Sequence, residues 1–351
     1  MVFKLANGAR SMKKILFVIN NLSKNDEATA LLALTKRWSD VASITIAHFG
    51  VDIEYEFDES IEIISLLDKD LQQPLVMVTN YFNLRRTSFW QDMYNQKLAV
   101  ANFDLVVAYG TILPFLLIGL GAPKKLAKLA WFHNDPTATR FGLFYNKRQF
   151  IKALSQFNNS IAIASHISRK VNKLYGITSE VINNYFECPQ KNDEMIERSA
   201  KYEFLFIGNL EEHSGIREAL EWIRPINADN HLHIIGEGSL RKELQKQAKS
   251  MAVTFWGEQQ NLAAFYQSVN ALIIPAITAG MPVIALEAKC YRLPILVRNQ
   301  EYLEDLPQDE IYQVDSAIKL AQTITKMNPA PAFEWDNRKI DEQLAKYFNQ
   351  N

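Results

Sequence analysis

Two side chains stand out as able to do polar chemistry, a carboxylate at Glu287 and an imidazole at His133. Glu287 falls in AGMPVIALEAK. There Pro282 fixes φ and has no N–H, which suits the first turn of a helix. The spacing predicts a helix over 281–289, fed by a strand at 270–274 through the loop 275–280 and followed by a strand at 294–297. A helix start leaves backbone N–H groups unpaired, so Gly280, Met281 and Pro282 mark a place for a phosphate or sugar hydroxyl. A carboxylate one or two turns further could accept two hydroxyls of a ribose. An ordinary βαβ turn with a solvated glutamate has the same pattern. His133 ends the run AWFHND beside Asn134 and Asp135. It could hydrogen-bond or steady a phosphate, or serve only as a structural partner. His166 is placed similarly, whereas His48, His231 and His233 fall on strands and read as packed or surface residues.

Other chemistry lacks its residues. No H-E-x-x-H or other metal spacing occurs, and no G-x-S-x-G elbow or phosphate-loop lysine motif. GEGSLRKEL at 236–244 is no dinucleotide fingerprint. Its glycines allow a close turn, with or without a ligand beside it.

The elements that must hold these groups alternate strand and helix. KKILFVINN (13–21) is a continuous apolar run, the pattern of a buried parallel strand. A helix follows, with Asp26 and Glu27 favourably placed in its first turn. Further strands are expected at 43–50, 62–67, 104–110, 129–135, 160–167 and 179–187, with helices at 81–101, 151–157 and 168–176. Residues 187–201 are polar and carry a charge run. Strand and helix then alternate again from 202, and 333–348 has helical spacing. The class is therefore α/β with parallel sheets. In such sheets ligands sit beyond the carboxyl ends of the strands, where Asn20, Gly110 and His133 fall.

At 351 residues the chain expects two domains. With 48% hydrophobic and 22% charged residues it is ordinary for a globular protein, and a formal charge of −1 gives no field for nucleic acid. Cys188 and Cys290 lie far apart with no C-x-x-C spacing, so reduced cytosolic thiols are expected. The longest apolar run, 112–120, is interrupted by Pro114 and Gly119 and is too short to span a membrane. Residues 1–11 lack the apolar core of a signal peptide and read as a tag or disordered tail. Basic and aromatic residues mix at 81–90, 124–128 and 145–150. They suit an anionic lipid or acceptor, or simply a solvated helix face.

Taken together, these segments resemble the bacterial retaining glycosyltransferases of GT-B fold in the large family four. KKILFVINNLS resembles the opening strand and LAWFHND the strand ending in the active-site histidine. IAIASHISRKVNKLYG with EVINNYFE resembles a segment in which Ser165 and Asn184 hold typical positions. FLFIGNLEEHSGI resembles the diphosphate-binding strand and loop. LHIIGEGSLRKEL and VTFWGEQQNLAAFYQSVNALIIP follow in order, and AGMPVIALEA resembles the E-(seven residues)-E signature. The resemblance covers nearly the whole chain from Met12.

It implies two Rossmann-like doubly wound parallel-sheet domains facing across a cleft. Residues 12–187 would be the acceptor domain, 188–201 a linker, 202–330 the nucleotide-sugar domain, and 331–351 a helix crossing back to the first domain. It implies transfer, with retention, of a hexose or N-acetylhexosamine from a nucleotide diphospho-sugar, UDP-linked, to a glycan, lipid-linked or protein acceptor. His133 would be catalytic. Glu287, Gly280, Met281, Pro282, Asn209, Ser214, Gly236 and Gly257 would bind the donor. No metal and no cofactor besides the donor is expected. The expected place is the cytoplasm, with peripheral membrane contact and a partner glycosyltransferase as further expectations. The departures are specific. The first signature acid is Ala279, the diphosphate-binding arginine is Asn209, its lysine is Ser214, and the first Gly-Gly loop is Lys24-Asn25-Asp26. About two charge-assisted hydrogen bonds, each worth roughly 1.5–3 kcal/mol, are thereby missing. Lys24, Arg140, His213 and Arg217 are possible replacements. A catalytically silent GT-B subunit that binds an acceptor or an active partner is the alternative, and a sugar-nucleotide epimerase a third.

Overall fold

The computed structural model describes residues 12–23, 25–50, 52–67, 86–99, 101–138, 146–191, 193–276, 282–298 and 301–348. Side chains at 213, 227, 228 and 302 are not described. The expected tail at 1–11, the signature positions Ala279, Gly280 and Met281, and the cations Lys24 and Arg140 lie outside these residues. The chain divides into two units, one of residues 1–163, 167–185 and 337–351, the other of residues 164–166 and 186–336.

In the first unit apolar runs become strands buried on both faces, as parallel pairing requires. The strands are β1 (Lys13–Ile19), β2 (Ala42–His48), β3 (Glu62–Ser65), β4 (Leu105–Gly110), β5 (Ala127–Phe132), β6 (Asn159–Ala162) and β7 (Glu180–Val181). They form one parallel sheet in the order β3-β2-β1-β4-β5-β6-β7. Ile15 through Ile19 have no solvent exposure. The strand expected at 179–187 is only two residues long. It is an edge strand, and its pairing runs out at Ala162, where β6 ends.

Helix α1 (Asp26–Trp38) starts at Asn25, whose side chain accepts from the Ala28 N–H at 2.9 Å. Asp26 and Glu27 in its first turn and Lys36 and Arg37 in its last complement the macrodipole. Helix α2 (Thr87–Lys97) buries Trp90 and Tyr94. The run read as too short for a membrane is α3 (Ile112–Leu116) with a π-helical extension, Leu117–Gly121, buried almost throughout. Among the described residues no helix is long and apolar enough to cross a membrane. Helices α4 (Lys147–Leu154) and α5 (Ser165–Tyr175) follow.

The second unit has β8 (Tyr202–Ile207), β9 (Asn230–Ile235), β10 (Val253–Gly257), β11 (Ala271–Ile274), β12 (Ile295–Val297) and β13 (Ile311–Gln313). Their order is β10-β9-β8-β11-β12-β13, again all parallel. Around them lie α6 (Ile216–Ile223), α7 (Arg241–Gln247), α8 (Ala263–Ser268), α9 (Val283–Cys290) and α10 (Ala317–Ile324). The core joins Phe204, Phe206, Leu220, Trp222, Leu232 and Leu296.

The last helix, α11 (Asn337–Phe348), belongs to the first unit. Its buried residues Ile340, Leu344 and Phe348 recur every four positions, one face of a helix. Phe348 meets Phe17 and Trp38 edge-on, with ring centroids 6.0 and 4.9 Å apart. Arg37 holds Asp341 through two bonds of 2.7 and 2.6 Å.

The cysteines correct the expectation of separate reduced thiols. Cys188 and Cys290 form a disulfide across 102 residues, with Cα atoms 5.7 Å apart. Sequence distance concealed this, because the fold of the second unit brings the chain after residue 186 beside the last residue of α9.

Candidate functional site

In a parallel sheet all carboxyl ends share one edge, and in the second unit that edge gathers the loops after β8, β9 and β11. Gly236, at φ 129°, accommodates a conformation other residues rarely adopt, and a Cβ there would collide with the Gly208 carbonyl. Gly215, at φ 77°, passes so close to Pro275 that a Cβ would lie 2.6 Å from its carbonyl oxygen. The loops are tied main chain to main chain: Gly208 N–H to Ile235 O (3.0 Å), Gly236 N–H to Gly257 O (2.8 Å) and Leu210 N–H to Glu237 O (2.8 Å). Glu211 accepts from the N–H and hydroxyl of Ser239 at 2.8 and 2.7 Å.

The expected donor residues that are described all lie at this edge or on helices leaving it. Asn209 is exposed just after β8. Ser214 precedes α6, and its hydroxyl donates to Glu211 O at 2.8 Å. Gly236 directly follows β9 and Gly257 ends β10. Pro282 is the cap of α9, with extended backbone at φ −72° and ψ 124°, rather than a residue of its first turn. Its extended ψ keeps Pro282 outside the helix, which begins at Val283. Glu287 lies in the middle of α9 and is half-buried. The Tyr266 hydroxyl donates to its Oε2 at 2.6 Å, and among the described residues Oε1 has no hydrogen-bond partner. Tyr266 in turn stacks on Tyr291, centroids 5.2 Å apart. Burial pushes the Glu287 carboxyl above the usual range, and the Tyr266 bond partly opposes this. Tyr266 carries no signal in sequence, since nothing local links α8 to α9.

Arg217, a proposed replacement for the missing cations, is already engaged. It binds Glu212 at 3.2 and 2.9 Å and Glu243 at 2.7 and 3.0 Å.

The corresponding edge of the first unit holds His133, immediately after β5 and 3% exposed. Its ring lies against Tyr109 at 3.9 Å and stacks near Trp131 at 5.9 Å. Burial pushes its pKa down to about 3, so it is a neutral imidazole at ordinary pH. Its Nε2 is buried and makes no hydrogen bond among the described residues, an unmet polar group of the kind that marks ligand sites. Asp135 accepts from the Thr137 N–H and hydroxyl, at 2.8 and 2.6 Å, and from Lys170 at 2.8 Å. Sequence reasoning passed over Glu27 at this edge. Asn134 donates to its Oε1, and the signal available was an acid directly after the first strand's loop.

His231 and His233, read as merely packed or surface residues, join Glu203 in a group whose ligand atoms lie within 4.8 Å of one another. The hydrogen bonds define its chemistry. The Trp256 indole can only donate, and it donates to His233 Nδ1 at 3.1 Å. His233 Nε2 therefore carries the proton and donates to Glu203 Oε2 at 2.9 Å. Burial pushes the Glu203 carboxyl up, but the N–H groups of Ala200 and Ser199 and the His233 ring hold it below its usual range. His231 lies parallel to His233 at 4.4 Å and bonds Ser199 and Thr254. Both His233 nitrogens are thus engaged, which fits a buried hydrogen-bonded relay. A metal ion on His233 would displace one of these bonds.

Two parallel-sheet units with these edges define the GT-B class of fold. Residues 201–327 match the model of the family described as Glycosyl transferases group 1. The chain is similar to an uncharacterized glycosyltransferase of Haemophilus influenzae, 22% identical over 82% of this chain and 81% of that protein. It is also similar to a putative teichuronic acid biosynthesis glycosyltransferase of Bacillus subtilis, 22% identical over 51% of this chain and 49% of that one. It spans 45% of a Klebsiella pneumoniae protein of the cps region at 24% identity. Among solved structures, TarM of S. aureus superposes with a TM-score of 0.74 at 10% identity, covering 97% of this chain and 99% of that one. Anabaena HepE in complex with UDP and glucose superposes at 0.70 and 13% identity, covering 97% and 100%.

Proposed function

We propose that the protein is a glycosyltransferase that moves a hexose or N-acetylhexosamine from a UDP-linked donor to a glycan, glycolipid or glycoprotein acceptor, with retention. The observation that carries this is Glu287. On a helix following a loop at the strands' carboxyl edge, it has one oxygen fixed by Tyr266 and the other unpaired, as needed to take ribose hydroxyls. The donor would lie over the joined loops of β8 and β9, with Asn209, Ser214, Gly236, Gly257 and the stretch Gly280, Met281 and Pro282 around it. His133 would offer its unpaired Nε2 to the reacting sugar or phosphate while remaining neutral. The leaving diphosphate gains charge in the transition state, so donors aimed at it would accelerate transfer. No resident metal or cofactor enters this reading.

The HepE complex supports UDP as the nucleotide, and the Bacillus subtilis relative supports bacterial surface-polysaccharide synthesis. The place of action is the cytoplasm, at the inner face of the membrane, with an active glycosyltransferase as a further partner. One observation favours a second reading, a silent subunit that binds an acceptor or such a partner. Arg217 already serves two carboxylates and is not free to take over the charge absent at Asn209 and Ser214.

Melting the full chain with UDP, GDP and a panel of UDP-sugars separates the two. A ligand at 100 times its dissociation constant adds about 2.7 kcal/mol. A shift with UDP accompanied by sugar transfer supports the enzyme, and no shift with any nucleotide supports the silent subunit. If activity rises in Ala279→Glu, the missing acid limits turnover.

A further inference from the structure

The disulfide joins the helix that carries Glu287 to the polar chain leading into β8. Cys290 is the last residue of α9, less than one turn beyond Glu287. Its partner Cys188 opens a segment that is also tied to α8 and the turn before it. The Asn261 amide donates to the Glu194 carboxylate at 2.8 Å, and the Gln267 amide to the Glu194 carbonyl at 3.2 Å. The Ile196 N–H donates to the Ser268 hydroxyl at 2.9 Å. The segment thus holds both α8, which carries Tyr266, and α9, which carries Glu287.

Tyr291, beside the bridge, connects it to the carboxylate. This residue caps α9, and its N–H donates to Glu287 O at 3.2 Å. Its ring stacks on Tyr266, and its hydroxyl donates to Gln190 O at 3.2 Å. It therefore touches the stapled segment on one side and, on the other, the phenol that pins Glu287. The bridge itself is open to reagents, with Cys188 exposed and Cys290 half-buried. Exchange requires a thiolate to reach a sulfur, and exposed bridges are the labile ones. Neither sulfur belongs to the buried core of the unit, so reduction leaves no cavity there. In the cytoplasm, the place the proposed function gives the chain, disulfides are transient ones that catalyse or sense.

We propose that Cys188–Cys290 is a reversible redox site that controls ligand binding at Glu287, opened by a cellular dithiol and closed by a disulfide oxidant. A thiolate of the dithiol attacks Cys188 Sγ and forms a mixed disulfide, while Cys290 leaves as a thiolate and takes a proton. The second thiolate of the reductant attacks that mixed disulfide, closes the reductant's own disulfide and releases Cys188, which takes the other proton. Two electrons pass to the protein, and the reverse sequence restores the bridge. With the bridge open, Tyr291 keeps only water-exposed contact with the segment through Gln190, and the Tyr266–Glu287 pair loosens. The consequence for UDP rests on the donor reading, whereas the opening of the bridge and the loosening of α9 do not.

The test uses the full chain without denaturant, oxidised, reduced by dithiothreitol, and reoxidised by oxidised glutathione. Reduction should expose both cysteine thiols to a chromogenic disulfide reagent while the chain stays folded. Early hydrogen exchange, read by mass spectrometry, should be about fivefold faster over 283–291 in the reduced form and unchanged over 202–207. UDP affinity by calorimetry should fall roughly tenfold on reduction and return on reoxidation. Cys188→Ser should match the reduced wild type and ignore dithiothreitol. Thiols that appear only in denaturant, equal acceleration over 202–207, or UDP bound equally tightly in both redox states would overturn the inference. UDP bound in neither state would instead overturn the donor reading, and exchange over 283–291 would then decide: faster on reduction upholds the switch, unchanged overturns it.

Discussion

Glu27 and Glu287 occupy comparable places in the two units. Each stands on a helix associated with the carboxyl edge of a parallel sheet, and burial raises the proton affinity of each. Their supports differ. Glu287 is held by one phenol, Tyr266, which is itself stacked on Tyr291, and its helix ends in a disulfide. Glu27 is held by amides from two loops and by the space of a missing side chain, and its helix begins at an asparagine cap. A carboxylate with one oxygen pinned and one open suits a ligand that presents a fixed pair of hydroxyls, as a ribose does. On the proposed reading, Glu287 is the carboxylate that meets the nucleotide.

The largest expected effect tests the staple. A cross-link closing a loop of about 100 residues contributes on the order of 4–5 kcal/mol in the chain-entropy account. Reduction, or Cys188→Ser, should therefore lower the urea midpoint of the second unit, followed by Trp222 or Trp256 fluorescence, and leave Trp38 and Trp90 in the first unit much less affected. Equal loss in both units would show that the staple does not distinguish them.

Next comes the phenol. Tyr266→Phe removes a hydrogen bond to a charged group, worth roughly 1.5–3 kcal/mol, and frees the carboxylate to rotate. UDP affinity by calorimetry should fall roughly tenfold, the low end of that range. An unaltered UDP constant would mean that Glu287 needs no orientation.

A smaller effect concerns pH. The folded-state pKa of Glu27, about 7, lies above its ordinary value of 4.5. The folded protein thus holds this proton more tightly than the unfolded chain, and stability falls as pH rises from about 4.5 through about 7. Glu27→Gln removes that loss. Because Glu27 is only half-buried, the gain over wild type at pH 8 should be roughly 1 kcal/mol after solvent screening, and near zero at pH 4. Urea unfolding at the two pH values checks it. A variant less stable than wild type at pH 8 would make Glu27 a structural group.

Much of this framework could be read from the chain. Continuous apolar runs such as KKILFVI, alternating with helical spacing, gave the parallel sheets, because burial on both faces leaves a pattern within six or seven residues. Glu287 was legible because proline and small residues mark the helix it sits on. The disulfide, the Tyr266–Glu287 bond and the His231–His233–Glu203 group were not. Each joins residues between 20 and 102 positions apart, and local periodicity does not say which distant side chains meet. Glu27 was visible as a helix-start acid, but its second partner is Asn134, more than a hundred residues away, and Gly110 reads in sequence as an ordinary strand end. The run at 112–120 was rightly too short for a membrane, yet its π-helical turn carries no pattern distinct from a buried helix.

The most direct test of the central claim is calorimetric titration of UDP into wild type and Glu287→Ala. Two hydrogen bonds from ribose hydroxyls to a carboxylate, each about 1.5–3 kcal/mol, predict at least a hundredfold loss of affinity in the variant. UDP binding that is equally tight without the carboxylate would contradict the account.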